Sequence, residues 1–120
     1  MPLREGDEVR FNMRSGYRAL WQFALFDLPT LTKRQRREYT RFRKLLLNQG
    51  FTMLQYSVYA RYCRSEESAE WIREAIRKEL PPSGQVRLVS ITDRQFGKME
   101  VFFGKLVEEV EDAPEQLLLF

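Results

Sequence analysis

The sequence runs to 120 residues, with 20 Lys and Arg against 17 Asp and Glu, one cysteine and no histidine. The length allows one core rather than two, and 43% hydrophobic residues with 13% aromatics exclude a disordered chain. The missing histidine excludes Ser-His-Asp and Cys-His nucleophiles and His-ligated metals, and the lone Cys63 excludes an internal disulfide or a CxxC site. Chemistry is left to carboxylates, Lys and Arg, hydroxyls, and hard cations held by oxygen.

Residues 1–18 mix charges with Gly6 and Gly16 and carry no sustained period, so they read as a basic N-terminal arm containing Arg10, Arg14 and Arg18. Ala19 to Phe26 is apolar apart from Gln22, the pattern of a strand covered on both faces, and Asp27-Leu28-Pro29 closes it. Thr32 with Gln35 forms a capping box, so a helix is expected from there to about Gln49, ending at Gly50. At 100° per residue Tyr39, Phe42 and Leu46 share one face. Arg34, Arg37, Arg41 and Lys44 share the opposite one, with Arg36 and Arg43 flanking the apolar stripe.

From Phe51 to Tyr62 the chain alternates, with Leu54, Tyr56, Val58, Ala60 and Tyr62 against Gln55, Ser57, Tyr59 and Arg61, so one bent strand or a paired one is expected. Ser65 caps a second helix with the apolar stripe Ala69, Ile72, Ala75, Ile76 and Leu80, stopped by Pro81-Pro82. Val86–Thr92 reads as a strand, and Met99–Phe103 as a further candidate. The order is βαββαβ if the 51–62 segment is paired. That is an α+β, ferredoxin-like sandwich, an antiparallel sheet with both helices on one face. This domain spans 19–104, followed by an acidic tail, 105–120, that ends in the apolar run Leu117, Leu118, Leu119 and Phe120, which suits docking on a partner.

Charge is segregated along the chain. Residues 1–64 carry 13 basic and 5 acidic side chains, net +8, whereas residues 65–120 carry 7 basic and 12 acidic, net −5. A basic half joined to an acidic half suggests an anionic partner for one face and a different partner for the other. No apolar run approaches the roughly 18 residues of a membrane span. The N-terminus lacks the apolar centre of a secretion signal, and the single cysteine suits a reducing cytoplasm.

Two constellations stand out. Lys33, Arg34, Arg36, Arg37, Arg41, Arg43 and Lys44 on one helix, with only Glu38 among them, suit a phosphate backbone better than an ordinary solvated face, which interleaves Glu with Lys. Asp27, at the carboxyl end of a strand, is the candidate metal-binding and catalytic residue for a Mg²⁺ ion. One carboxylate needs further ligands from substrate phosphate or a second copy, and the alternative is a turn aspartate capping backbone N–H groups. Ser57 and Tyr59 sit beside Asp27 if their strand neighbours the first. Phe23, Phe26, Tyr56 and Val58 read as core or interface, and Cys63 as an inert strand-end residue.

Several segments together resemble one known family. Phe26-Asp27-Leu28-Pro29 is similar to the aspartate motif of the small CRISPR-associated endoribonucleases, the smaller subunit of the spacer-acquisition integrase. Phe42-Arg43-Lys44, Gly50-Phe51 and Ser57-Val58-Tyr59 match the family's helix-to-strand passage, and Val89 to Phe96 its third strand and following turn. The resemblance implies a homodimer with its sheets packed together and the two Asp27 copies facing across the axis. It also implies basic residues at Arg34 and Arg36 near the site. The implied assembly is a heterohexamer in which one such dimer bridges two dimers of the larger integrase subunit and cradles duplex DNA, with single-stranded RNA as the other nucleic-acid candidate. Leu117–Phe120 would then contact the larger subunit. The long arm, with Arg14 and Arg18 as further DNA contacts, departs from the family pattern.

Overall fold

The structure, a computed structural model, describes residues 19–104, 106–108 and 110–111. The arm with Arg10, Arg14 and Arg18 and the terminal Leu117, Leu118, Leu119 and Phe120 lie outside the described residues.

Strand β1 (Leu20–Asp27) is followed by helix α1 (Lys33–Asn48), strands β2 (Thr52–Gln55) and β3 (Val58–Cys63), helix α2 (Glu66–Arg77) and strand β4 (Gln85–Thr92). A short helix α3 (Asp93–Gly97) and strands β5 (Val101–Phe103) and β6 (Leu106–Glu108) complete the described order. The four main strands form an antiparallel sheet in the order β2-β3-β1-β4. With its βαββαβ succession this is the expected ferredoxin-like α+β arrangement. The apolar run of β1 is explained by its position, since it has a neighbour on either side and side chains buried on both faces.

Both long helices begin as the sequence indicates. Thr32 Oγ1 accepts from the Gln35 backbone N–H while Gln35 Oε1 accepts from Thr32 N–H, and Ser65 makes the same reciprocal pair with Ser68. They cover one sheet face. Phe42 and Leu46 from α1 and Ala69, Ile72 and Ile76 from α2 pack with Leu20, Ala24, Phe26, Tyr59 and Cys63. Helix α2 ends at Arg77, short of Pro81-Pro82, so Leu80 lies outside the stripe and is exposed, as is Trp71 on the helix surface.

The apolar interruption at Gln22 has a definite use. Fully buried, it donates from Nε2 to the Phe23 and Val89 carbonyls, at 3.1 and 3.2 Å, while its Oε1 accepts from Arg73 and from Ser90 Oγ, both at 2.7 Å. Arg73 also holds Glu66 and Glu70, at 2.6 and 2.7 Å, so one guanidinium joins the sheet centre to the acidic flank of α2. These hydrogen bonds, and then those from Arg77, hold the Glu70 carboxyl below its ordinary range.

The other sheet face carries Trp21, Ala60 and Phe96, with Phe23, Leu54, Tyr62, Ile91, Met99 and Val110 packed around them. Trp21 stacks on Phe96 at 4.0 Å and donates from its indole nitrogen to Asp93 Oδ1 at 2.7 Å. The turn expected after β4 is thus a one-turn helix whose role is to lid this tryptophan. Met99–Phe103 does not join the main sheet; its strand residues, Val101–Phe103, pair with β6 as a separate ribbon.

The 51–62 segment is a hairpin. The chain turns back at Tyr56-Ser57, where Ser57 takes φ +64°, yet Leu54, Ala60 and Tyr62 still share the Trp21 face while Phe51, Tyr59 and Cys63 share the helix-covered one. Tyr59 is buried beneath the helices against Phe26 and does not sit beside Asp27, and Tyr56, read as core or interface, is 74% exposed, which excludes the core and leaves the interface. Cys63 is buried, and that burial raises its thiol pKa, in keeping with an inert residue.

Candidate nucleic-acid interface

Asp27 is the last residue of β1 and its side chain is exposed. The next residue, Leu28, is buried and anchors the chain as it turns towards α1. Among the described residues the Asp27 carboxylate accepts no hydrogen bond, so the turn-capping role is not taken here. Its backbone is held closely. Phe26 N–H donates to Ser57 O at 3.1 Å from the hairpin side, and Gly84, before β4, packs against the Asp27 carbonyl from the other. Among the described residues no three His, Cys, Asp or Glu side chains gather to hold a metal ion. One exposed carboxylate is too small a donor set for a resident Mg²⁺, and no metal-dependent step follows from one chain alone.

The cationic face is real in space as well as in sequence. Lys33, Arg34, Arg36, Arg37, Arg41, Arg43 and Lys44 are all exposed on α1. Arg41 is engaged by Glu38 at 2.9 Å and approaches Glu79 at 3.7 Å. Arg36 lends its guanidinium to the Thr30 and Leu31 carbonyls, tying the loop after Asp27 to the helix. Lys33, Arg34, Arg37, Arg43 and Lys44 form no ion pair among the described residues. An open depression of about 450 Å³ is lined by Lys33, Arg36, Arg37, Thr40, Arg41 and Lys44, five cations and a hydroxyl converging without a carboxylate. Such a surface is repulsive on its own and becomes favourable when an anion lies on it.

On its other flank α1 meets the β2–β3 hairpin. Tyr39 contacts the Phe26 ring at 5.9 Å and stacks with Tyr56 at 6.1 Å with the rings 20° apart. The Tyr39 hydroxyl, by hydrogen bonding and then by charge, raises the Tyr56 pKa above its ordinary value. The buried Tyr59 hydroxyl has no hydrogen-bond partner among the described residues. The sequence did not mark the turn at Tyr56-Ser57, which lacks the glycine or asparagine that usually announces a hairpin. Nor did it mark the wall at Gly84, because residues distant in sequence make that contact.

Comparison with known proteins places these features in context. A family model described as CRISPR associated protein Cas2 matches residues 20–99. The CRISPR-associated endoribonuclease Cas2 of Flavobacterium psychrophilum is 47% identical over 104 residues, 87% of this chain and 90% of the relative. The protein of the same name from Parvibaculum lavamentivorans is 48% identical over 101 residues, 84% of this chain and 100% of the relative. That from Ligilactobacillus salivarius is 41% identical over 95 residues, 79% and 94% of the two chains.

Proposed function

The chain belongs to the Cas2 family of CRISPR-associated proteins, and from that premise we propose that it acts as a homodimeric scaffold in spacer acquisition, holding duplex DNA and bridging subunits of the larger integrase. The observation that carries this reading is the face of α1, where Lys33, Arg34, Arg37, Arg43 and Lys44 stand exposed without acidic partners among the described residues. A row of cations of this kind follows a phosphate backbone, and each phosphate it neutralises contributes about 0.9 to the salt dependence of duplex binding. A second copy is supported by the half-open apolar face of the sheet, where Val89 is 47% exposed, and by Phe102 and Phe103, 55% and 65% exposed. The apolar end Leu117–Phe120 is the proposed contact with the integrase subunit. No helix among the described residues is long and apolar enough to cross a membrane.

The second reading is a Mg²⁺-dependent endonuclease acting on RNA or DNA. It is favoured by the name of the relatives, CRISPR-associated endoribonuclease, and by the exposed Asp27 carboxylate, which accepts no hydrogen bond among the described residues. It requires the Asp27 of a second copy or phosphate oxygens to complete the ligand set. Asp27→Ala separates the two. Under the scaffold reading the variant binds duplex DNA and supports spacer acquisition like the wild type, and only metal-dependent cleavage disappears. Loss of acquisition in a folded Asp27→Ala protein overturns the scaffold reading and leaves the nuclease.

A further inference from the structure

The Tyr39–Tyr56 pair is not needed to explain a duplex lying on α1, yet its construction is specific. Ser57 adopts a left-handed conformation uncommon for a residue with a side chain, and its carbonyl is pinned by Phe26 N–H, which fixes the hairpin tip against the end of β1. Tyr56 at that tip lies on Tyr39 in an offset stack, and Tyr39 is held from behind by Phe26. A tyrosine that served only to staple the hairpin to the helix would bury its ring; Tyr56 keeps 74% of its surface in solvent. On α1, Tyr39 has Arg36 one turn before it and Arg43 one turn after, on the same flank and both exposed. An open aromatic face backed by a second ring, with Arg36 and Arg43 one turn away on the helix that carries that ring, matches the chemistry of a nucleotide. The ring meets the base, and the cations meet the phosphates that flank it.

We propose that Tyr56, backed by Tyr39, is a stacking site for one unpaired nucleobase, with Arg36 and Arg43 holding the adjacent phosphates. The site deepens the reading of α1 as a nucleic-acid surface and rests on it. Paired bases in a duplex hide both faces, so the ligand is a nucleotide outside the duplex, either in a single-stranded tail at its end or in a free single strand. The ring supplies the contact, and every base has a stacking face, which makes the site tolerant of base identity.

The test compares a blunt DNA duplex, the same duplex with a single-stranded tail, and a free oligothymidylate, on the full chain and on three variants. The wild type is expected to bind the tailed duplex about tenfold more tightly than the blunt one. Tyr56→Ala and Tyr56→Leu should remove that advantage, Tyr56→Phe should keep it, and blunt-duplex affinity should stay unchanged in all three. An aminopurine in the tail should be quenched by the wild type and by Tyr56→Phe, and not by Tyr56→Ala. The proposal is overturned if Tyr56→Ala retains the tail preference, or if it weakens blunt and tailed duplexes equally. If the wild type binds no blunt duplex, the scaffold reading fails separately and the oligothymidylate decides. A tenfold loss of its binding in Tyr56→Ala then sustains the stacking site, and no loss, or no binding by the wild type, ends it. The oligothymidylate also separates the two sources, since a site built for duplex ends binds it far more weakly than the tailed duplex.

Discussion

At Gly84 the backbone takes φ +91°, and a Cβ added there would stand 2.7 Å from the Asp27 carbonyl oxygen and 2.8 Å from Leu28 Cδ2. At Gly50, φ +90°, the same addition would meet Arg61 Nε at 3.2 Å, the end of a flexible side chain that can yield. Both positions carry the left-handed conformation; only Gly84 has a wall of backbone behind it. Gly84→Ala is therefore expected to cost about 2–3 kcal/mol and Gly50→Ala about 1 kcal/mol, read as a larger fall in Tm for the first. Equal losses would mean that backbone strain alone matters and that Gly84 does not brace the Asp27 turn. Asp27 itself was legible in the sequence, because an apolar run ended by Asp-Leu-Pro marks a strand end with an exposed carboxylate. Its bracing was legible only on one side: the neighbouring strand was expected to bring Ser57 beside it, whereas nothing in the sequence pointed to Gly84. The turn at Tyr56 was hidden for a related reason: a period of two cannot show where a strand turns back.

The two helices were the most legible elements, since each start is written in a capping box and each buried face in the spacing of apolar residues. How α2 is fastened was not legible. Gln22 interrupts an apolar run, and only the folded sheet brings it beneath Arg73 and beside Ser90. Arg73→Met would leave Glu66 and Glu70 without that guanidinium and Gln22 Oε1 with Ser90 alone. The expected cost is about 2–4 kcal/mol by urea denaturation at neutral pH. Adding Gln22→Leu should recover part of that loss, because a buried amide missing a partner is worse than an apolar side chain of similar size; no recovery would mean Gln22 is satisfied without Arg73. The pH dependence has a definite sign. The Glu70 carboxyl is held below its unfolded value, so its contribution is present above the ordinary carboxylate range and is lost as pH falls through the lowered folded value. The acid-induced loss of stability should shrink in Arg73→Met.

Across the whole molecule, one sheet face carries a cationic helix and an acidic one side by side, joined where Arg41 reaches Glu79. The modest net charge of +3 describes neither the cationic face of α1 nor the acidic flank of α2. Arg41 is shared with carboxylates, whereas Arg37 and Lys44 line the depression on α1 without ion-pair partners among the described residues. Arg37→Glu with Lys44→Glu is expected to weaken duplex binding and to flatten the plot of log K against log salt by about 2 units. An unchanged slope would mark α1 as a solvated face. The ferredoxin-like order was readable from alternating strand and helix patterns, but the separation of β5 and β6 from the main sheet was not, because pairing partners are chosen by packing. The two tryptophans, finally, sit in opposite surroundings: Trp21 is sealed between Phe96 and Tyr62 with its indole on Asp93, and Trp71 stands 68% exposed on the acidic helix. The chain therefore carries two optical reporters of its own. A soluble quencher reaches Trp71 and spares Trp21, so occupation of the acidic surface and melting of the sheet register as separate fluorescence signals from the unmodified protein.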